Sequence, residues 1–390
     1  MMAIFYLMYF LCRALCSQER LLYTCRKLIT QNKLRPMEPN DANAALPTAQ
    51  RPFRVLVISG SQRRQYNCPG VDPKSRMFMF RMAERLPQEW EIDLEDIGNV
   101  YARPQIQSCN ACVSTSMALC TWPCNCYTKK SSKEPDLMWD LDLYARFDMA
   151  DAWAIIGPVN WYAPTSNLKK MFDRMVCMNG GNPKEETIKH KDPELAMALE
   201  HTEEWKEMSV NHLEGHTAAF FNYGDDGGME LDADGRPKIL RHPEYFDPTQ
   251  EPFTDMRQAY APLVWQCRYG GVEVPDPLWT YVDSGKDQHY SDNQAEHVVK
   301  DDRVMNAFDA WTDRFAAFVE AKGKVPPGKY RAYGHEPNVT WMDHARLGIR
   351  DVRMSLGIPR SGSSPAIQQE QDLNHDATLW HKRGEGEKLR

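Results

Sequence analysis

Residues Ala152–Arg174 read AWAIIGPVNWYAPTSNLKKMFDR, and this stretch decides the fold. An apolar run, Trp153–Ile156, ends at Gly157-Pro158, and after the short segment Val159–Tyr162 a helix is predicted to begin near Thr165-Ser166. A buried strand, a tight loop and a new helix form half of a βαβ unit. Ligands of open α/β sheets bind at the carboxyl ends of the strands. Trp and Tyr beside backbone amides at such an end indicate a flat aromatic ligand with a polar rim.

The alternation of strand and helix continues on both sides of this stretch. We predict strands at Arg54–Ser59, Trp90–Ile97, Trp153–Gly157 and Gly215–Asn222, with a short fifth strand near Gly271–Val274. We predict helices at Ser75–Leu86, Pro135–Phe147, Thr165–Met175, Thr254–Tyr269 and Arg303–Ala321. Such alternation predicts an α/β fold, a doubly wound five-stranded parallel sheet with helices on both faces. A charged helical segment, Pro183–Leu213, and a loop-rich segment, Met229–Glu251, are expected as insertions.

Composition sets the domain organisation and excludes some partners. The chain has 390 residues, a formal net charge of −7 and a pI near 5.9, so nothing in its charge indicates binding to nucleic acid. We expect one folded domain over residues 51–325 and a C-terminal extension over residues 326–390 that is disordered from about residue 360. The extension is rich in Ser, Gln, Glu and Lys near its end.

The N-terminal 50 residues bear on localisation only. Ala3–Leu15 is apolar apart from Arg13, which is short for a membrane span, and basic residues follow it. Two interpretations stay open: a short amphipathic anchor, or an upstream start codon with the protein beginning near Met37. Membrane association is expected only under the first interpretation, and a cytoplasmic location is expected otherwise.

A candidate anion site follows the first predicted strand. Its hydroxyl and basic side chains surround a predicted helix N-terminus, where unpaired backbone N–H groups and the helix dipole favour a phosphate. These residues are Ser59, Ser61, Arg63, Lys74 and Ser75. The motifs G-x-G-x-x-G and G-x-x-x-x-G-K-[ST] are absent here, which argues against a dinucleotide-binding Rossmann site and against a P-loop. An insertion, Arg64–Pro73, separates the loop from the helix.

Two further loops are expected at the same edge of the sheet. The loop after the third strand comprises Pro158, Val159, Asn160, Trp161, Tyr162 and Ala163. The loop after the fourth strand, Tyr223–Gly228, contains three glycines, which allow the backbone to approach a planar ring closely.

The three loops together resemble the flavodoxin-like NADPH-dependent FMN reductase family, which includes quinone reductases and iron–sulfur flavoproteins. The resemblance spans about Arg51–Ala321 and depends on Gly60-Ser61-Gln62-Arg63, on Pro158–Arg174 and on the glycine-rich loop after the fourth strand. It implies that the first loop holds the FMN phosphate and that Pro158–Ala163 lines the isoalloxazine ring through backbone amides and Trp161. It also implies that Tyr223, Gly224, Asp225, Gly227 and Gly228 cover the pyrimidine side of the ring.

The resemblance implies an FMN-dependent oxidoreductase that passes hydride from NADPH or NADH to a quinone or a similar two-electron acceptor. No side chain is assigned as catalytic, because the flavin carries the chemistry. It further implies a homodimer or a homotetramer. A non-catalytic flavin-binding sensor or scaffold is the alternative from another functional class.

Five cysteines lie in one loop, and whether this loop binds a metal stays open. They are Cys109, Cys112, Cys120, Cys124 and Cys126. Four converging thiolates hold a [4Fe-4S] cluster or a tetrahedral zinc ion, and Cys109, Cys112 and Cys120 with either Cys124 or Cys126 could supply them. The iron–sulfur relatives have a cysteine where this chain has Thr115. A cluster would make the protein an electron carrier, and a loop without metal is the third interpretation.

Overall fold

The computed structural model describes residues 51–63, 73–98, 106–120, 122, 124, 138, 143–179, 192–209, 211–225, 233–235, 255–285, 288 and 292–326. Predictions for residues 1–50, for most of the Arg64–Pro73 insertion, for most of Met229–Glu251 and for the C-terminal extension fall outside these residues. The division into domains therefore stays a prediction.

Five parallel strands form the sheet, as predicted, in the spatial order β2-β1-β3-β4-β5. They are β1 (Arg54–Ser59), β2 (Glu91–Asp96), β3 (Ala152–Pro158), β4 (Thr217–Gly224) and β5 (Trp279–Asp283). The order reverses after β1, because the chain goes from β1 outward to β2 and then returns to β3 on the other side of β1. This reversal is the topological switch point of a flavodoxin-like fold, where the crevice at the carboxyl edge receives ligands.

Helices cover both faces of the sheet. They are α1 (Lys74–Arg85), α2 (Leu143–Met149), α3 (Ser166–Arg174), α4 (Pro193–Glu200), α5 (Glu203–Met208), α6 (Ala261–Tyr269), α7 (Ala295–Val298) and α8 (Asp302–Lys322). Buried residues of α1 and α8 pack on one face, and buried residues of α2, α3 and α6 pack on the other. The predicted insertion at Pro183–Leu213 is helical, as expected, in the part that α4 and α5 occupy.

Alternating side chains of β3 and β4 explain why the two faces are both apolar. Trp153 and Phe220 point into the layer that contains α3 and α6, whereas Ile156 and Phe221 point into the layer of α1 and α8. A central parallel strand is buried on both sides, so it reads as a continuous apolar run. This is why Ala152–Ile156 could be assigned as a strand from sequence.

Two predicted elements differ from the structure. The short strand near Gly271–Val274 is wrong, since Glu273 makes only an isolated bridge with Thr217 and the fifth strand is Trp279–Asp283. The fourth strand continues to Gly224, two residues past the predicted end at Asn222. Other boundaries shift by a few residues: the described part of the helix predicted at Pro135–Phe147 is α2, which ends at Met149.

Buried cations in the body of the sheet pair with carboxylates. Arg146 is buried between Asp93 and Glu95, with N–O distances of 2.7 and 2.6 Å. Three other buried guanidinium groups follow the same rule in the pairs Arg51–Asp151, Arg54–Glu91 and Arg76–Asp96. The pairing compensates the cost of removing each charge from water. Within the described ranges, no helix is both long and apolar enough to cross a membrane.

Candidate functional site

The first loop brings its hydroxyl groups to the N-terminus of α1. Ser59 and Ser75 are fully buried, and their Oγ atoms share a hydrogen bond of 2.8 Å. Ser61 is buried next to them and accepts a 3.2 Å hydrogen bond from the backbone N–H of Arg63. These hydroxyl groups lie at the start of a twelve-residue helix, a position that favours anions, and the anion site itself stays a prediction.

The two basic residues of the predicted anion site hydrogen bond to neutral groups. Lys74 Nζ donates to the backbone oxygen of Ser284 at 2.8 Å, to Ser284 Oγ at 3.2 Å and to Asn293 Oδ1. The Arg63 guanidinium donates to Gln294 Oε1 at 2.6 Å. The acceptors follow β5 in sequence, and sequence reasoning assigned none of them to the site.

The environment of Lys74 weakens its hold on the proton. Burial is the main cause that lowers the pKa of Lys74 to about 8, and the positive charge of Arg63 contributes to this shift. Asp225 and Asp283 act in the opposite direction through longer-range attraction. An ammonium group with this pKa is still charged at neutral pH and is sensitive to any anion placed beside it.

The loop after β3 is a two-residue turn formed by bulky aromatic residues. Asn160 and Ala163 exchange two backbone hydrogen bonds of 2.8 and 3.1 Å, and Trp161 and Tyr162 between them have φ of 49° and 61°. Positive φ at both central positions defines a type I′ turn, which favours Asn and Gly and is strained for large side chains. Trp161 is 93% exposed, so its ring is presented to solvent at the edge of the site. Strain of this kind is characteristic of functional sites.

The first and second loops are tied together through the start of α3. Thr165 caps this helix, since its Oγ1 accepts from the backbone N–H of Leu168, and the same hydroxyl donates to the carbonyl of Gly60 at 2.6 Å. Gly60 is required there because a Cβ atom would overlap the Leu168 side chain. The sequence indicated a helix start at Thr165-Ser166, and the structure places the cap at Thr165.

The third loop differs from its prediction at Tyr223 and Gly224. Both belong to β4, and Tyr223 is buried, with its hydroxyl accepting a 3.0 Å hydrogen bond from the backbone N–H of Ser75. Burial raises the pKa of Tyr223 well above its ordinary value, so the phenol stays protonated. The backbone oxygen of Tyr223 accepts from Val159 N at 2.8 Å, which joins the second and third loops. Asp225 follows the strand and is exposed, whereas Gly227 and Gly228 lie outside the described residues.

Tyr260 contacts the second loop, and sequence reasoning did not assign this residue to the site. This buried side chain precedes α6 and donates from its hydroxyl to the carbonyl of Pro158 at 2.9 Å. It fixes the point at which the second loop leaves β3. A tyrosine in an apolar helical segment gives no sequence signal for such a contact, because the partner is 102 residues away.

The cysteine loop contains free thiols, and Cys126 lies outside the described residues. Cys109, Cys112 and Cys120 are half-buried, and Cys124 is buried. Burial raises the pKa of Cys120 to about 12 and also raises that of Cys109. Among the described residues, no three His, Cys, Asp or Glu side chains are grouped closely enough to hold a metal ion. These residues therefore give the predicted metal site no support.

Comparison with known proteins shows a similarity to one family. The model of the NADPH-dependent FMN reductase family matches residues 53–242, which contain β1–β4 and all three loops. No curated protein matches the chain.

Several solved structures are similar at low identity. An FMN-dependent NADH-azoreductase from Bacillus anthracis, solved with FMN, is 14% identical, with 68% of this chain and 99% of that chain covered and a TM-score of 0.33. An NAD(P)H:quinone oxidoreductase from Methanothermobacter marburgensis is 13% identical over 66% of this chain and 94% of that chain, with a TM-score of 0.33. A flavodoxin from the domain Archaea is 11% identical over 69% and 99% of the two chains, with a TM-score of 0.28.

With TM-scores this low, the assignment depends on the sheet order and on the family match. The strand order is flavodoxin-like, and the match covers both the switch point and the loops that follow β1, β3 and β4. Over residues 53–242, the chain is therefore similar to the NADPH-dependent FMN reductase family.

Proposed function

We propose that this protein binds FMN across the carboxyl ends of β1, β3 and β4 and uses it to reduce a quinone or a similar two-electron acceptor with NADPH or NADH. One observation carries the proposal. Among the described residues, no carboxylate hydrogen bonds to Lys74 or Arg63, which lie at this edge with the hydroxyl groups of Ser59, Ser61 and Ser75. Positive charge concentrated at a helix N-terminus is complementary to a phosphate dianion.

The phosphate end of FMN fits the residues of the first loop. Ser59 and Ser75 offer buried hydroxyl groups that can turn toward a phosphate oxygen, and the first turn of α1 adds backbone N–H groups. Arg63 brings a guanidinium with five donors, of which the bond to Gln294 uses one. The sequence-based assignment of these residues to the phosphate is retained as part of the proposal.

The ring end of FMN fits the aromatic turn after β3. Backbone groups of Pro158–Ala163 and the Trp161 ring would hold the isoalloxazine, as the family resemblance implies. The bonds of Tyr260 to Pro158 and of Val159 to Tyr223 fix the base of this turn, so its position does not depend on the ligand. Preorganised backbone donors orient a ring without losing conformational entropy on binding. Asp225, Gly227 and Gly228 are proposed for the pyrimidine side.

Bound FMN would accept a hydride from NAD(P)H and pass two electrons to the acceptor. The protein's part is to bind and orient, and no side chain is assigned as a proton donor. Tyr162 is 39% exposed beside Trp161, so the outer face of the turn is open to a nicotinamide or to a second substrate. One exposed face that serves both substrates in turn is consistent with a ping-pong order of binding.

The test is an anaerobic absorbance titration of the purified full-length protein, reconstituted with FMN, before and after NADPH is added. We expect the visible flavin bands to bleach and to return when a quinone is added. Bands that persist with both NADPH and NADH would contradict the reductase proposal and favour a flavin-binding sensor or scaffold. Additional broad absorbance, together with iron and acid-labile sulfide, would favour the alternative of an electron carrier that uses the Cys109–Cys126 loop.

We further propose that the protein is a homodimer or a homotetramer, as the resemblance implies. Trp265 and Tyr269 of α6 are 60% and 75% exposed, one helical turn apart, and provide an apolar surface of the kind found at interfaces. Sedimentation velocity of the reconstituted protein tests this, and a fully active monomer would overturn it.

A further inference from the structure

Lys74 and Arg63 differ from four buried arginines of this protein, which pair with carboxylates. Each of those cations lies within hydrogen-bond distance of a carboxylate; the pairs are Arg51–Asp151, Arg54–Glu91, Arg76–Asp96 and Arg146 with Asp93 and Glu95. Lys74 is only 9% exposed, yet its three bonds go to a carbonyl, a hydroxyl and an amide. Neutral acceptors fix the position of a cation and leave its charge uncancelled.

Close packing against the backbone at Gly285 fixes the position of Asn293 beside Lys74. Asn293 is buried, and its side-chain amide occupies the space that a Cβ atom on Gly285 would need. Gly285 has φ of +150°, a conformation that residues with side chains rarely adopt. Gly285, the second residue after β5, and Asn293 therefore pack directly against each other. Lys74 donates to Ser284 as well, so all three protons of its ammonium group have acceptors.

Gln294 fixes the position of the Arg63 guanidinium through a hydrogen bond. Its Oε1 accepts from the Arg63 guanidinium at 2.6 Å, although the two residues are 231 positions apart in the chain. Gln294 also begins α7, where its side chain and that of His297 exchange bonds with the helix backbone in a capping box. The amide that holds Arg63 is thus anchored at a helix start. A fixed guanidinium loses less conformational entropy when it binds an anion.

We propose that Asn293 and Gln294 are positioning residues that fix Lys74 and Arg63 for a phosphate monoester dianion, and that they set the preference of this site for FMN over riboflavin. The inference rests on the proposed function. Both residues lie beyond residue 242, where the family match ends, so this support is supplied by a part of the chain that the family model does not include. Asn293 and Gln294, which follow β5 in the chain, would complete the predicted phosphate site.

The test compares the affinities of FMN and of riboflavin, which lacks only the phosphate, for the full-length apoprotein by isothermal titration calorimetry. The variants are Asn293→Ala, Gln294→Ala and the double variant. We expect each single variant to weaken FMN binding about 10-fold, the scale of one hydrogen bond to a charged group, and to leave riboflavin binding unchanged. Gln288→Ala is the matched control, since this exposed residue lies in the same part of the chain.

A variant with a shape closer to the original covers the case in which Asn293→Ala fails to fold. Asn293→Asp keeps the size and the oxygen acceptor, but its carboxylate would cancel the charge of Lys74. We expect it to weaken FMN binding at least 10-fold with riboflavin binding intact.

Three outcomes would overturn the inference, and they are distinguishable. Variants that lose FMN and riboflavin affinity equally would show a general structural role. Variants that bind both flavins with the wild-type affinities would show that the two residues do not act on the phosphate, while the proposed function survives. A wild-type protein that binds neither flavin, or that binds both equally, would remove the proposed phosphate site and the inference together.

Discussion

The hydroxyl of Tyr223 accepts a 3.0 Å hydrogen bond from the backbone N–H of Ser75 and so joins the end of β4 to the first turn of α1. The Ser75 side chain on the same residue bonds to Ser59 at the end of β1. One residue of α1 thereby connects two strands that are separated by β3 in the sheet. The two ends of the candidate site are held in a fixed relation by this connection.

Removing the Tyr223 hydroxyl should cost stability. In Tyr223→Phe the ring still packs against Phe78, but the buried Ser75 N–H loses its acceptor, which costs about 1–3 kcal/mol of the free energy of unfolding. Urea denaturation of the apoprotein measures the loss. Tyr269→Phe, at an exposed position, is the control that we expect to behave like the wild type. Equal stability of Tyr223→Phe and wild type would show that this bond contributes nothing.

The affinity for FMN should fall with rising pH because of Lys74. Burial lowers the pKa of Lys74 to about 8, so its ammonium group loses its charge as the pH rises through 8, and a bound dianion shifts that transition upward. Between pH 7 and pH 9.5 we expect the wild type to lose FMN affinity while Lys74→Met, already weaker by about 10-fold, changes less. Riboflavin titrations over the same pH range measure how much of the change in affinity comes from groups that do not act on the phosphate. Parallel pH profiles for the two proteins would contradict this role.

The stability of the apoprotein should respond to pH in the opposite direction. The folded-state pKa of Lys74 is below the ordinary value of 10.5, so between about pH 8 and pH 10.5 the unfolded chain binds more protons than the folded one. The contribution of Lys74 to the free energy of unfolding therefore rises with pH in that window. Denaturant titrations of wild type and Lys74→Met isolate it, and the free energy of unfolding of the wild type should rise relative to that of Lys74→Met only above about pH 8.

Relaxing the aromatic turn should separate stability from function. Replacing Trp161-Tyr162 with Asn-Gly introduces the residues that a type I′ turn prefers, and we expect a stability gain of about 1–3 kcal/mol per relieved residue. We expect NADPH:quinone turnover to fall, because the exposed rings that would face the flavin are gone. Thermal unfolding and steady-state kinetics give the two readouts. A variant with undiminished turnover would show that the rings have no part in the site.

The Thr165 hydroxyl should contribute to both the fold and the site. Thr165→Val loses the cap on α3 and the bond to Gly60, which costs about 1–2 kcal/mol of the free energy of unfolding. Ser166→Ala alters an exposed hydroxyl one residue later and is the matched control. Because the lost bond joins the first and second loops, we also expect weaker FMN binding in Thr165→Val alone. Unchanged FMN binding in that variant would restrict Thr165 to helix capping.

The strands that carry the candidate site could be predicted from sequence because their signals are local. β1 and β3 are short apolar runs that end in Gly-containing turns, and both were assigned within two residues. β5 was missed because Trp279–Asp283 mixes polar and apolar residues, while Gly271–Val274 resembles a strand more closely and makes only one bridge. Tertiary context decided between two weak candidates.

The acceptors around the two cations gave no local signal at all. Asn293 and Gln294 lie 219 and 231 residues from their partners, in a polar segment that is unremarkable as sequence. The sequence predicts Lys74 and Arg63 as anion ligands from their position after β1. The sequence could not show that the described hydrogen-bond acceptors of these side chains are neutral groups, because these contacts arise only when distant segments fold together.

No described carboxylate hydrogen bonds to Lys74 or Arg63, so under the proposed function the stability of the protein would depend on the supply of FMN. Folding without an anion leaves two positive groups close together at one edge of the sheet, and burial alone already disfavours the charged form of Lys74. A dianion that binds there relieves this repulsion only in the folded chain, so the free energy of unfolding rises with the logarithm of the FMN concentration above its dissociation constant. In cells short of flavin the protein would therefore be less stable and would unfold more often. Proteases would degrade the FMN-free protein faster than the FMN-bound protein.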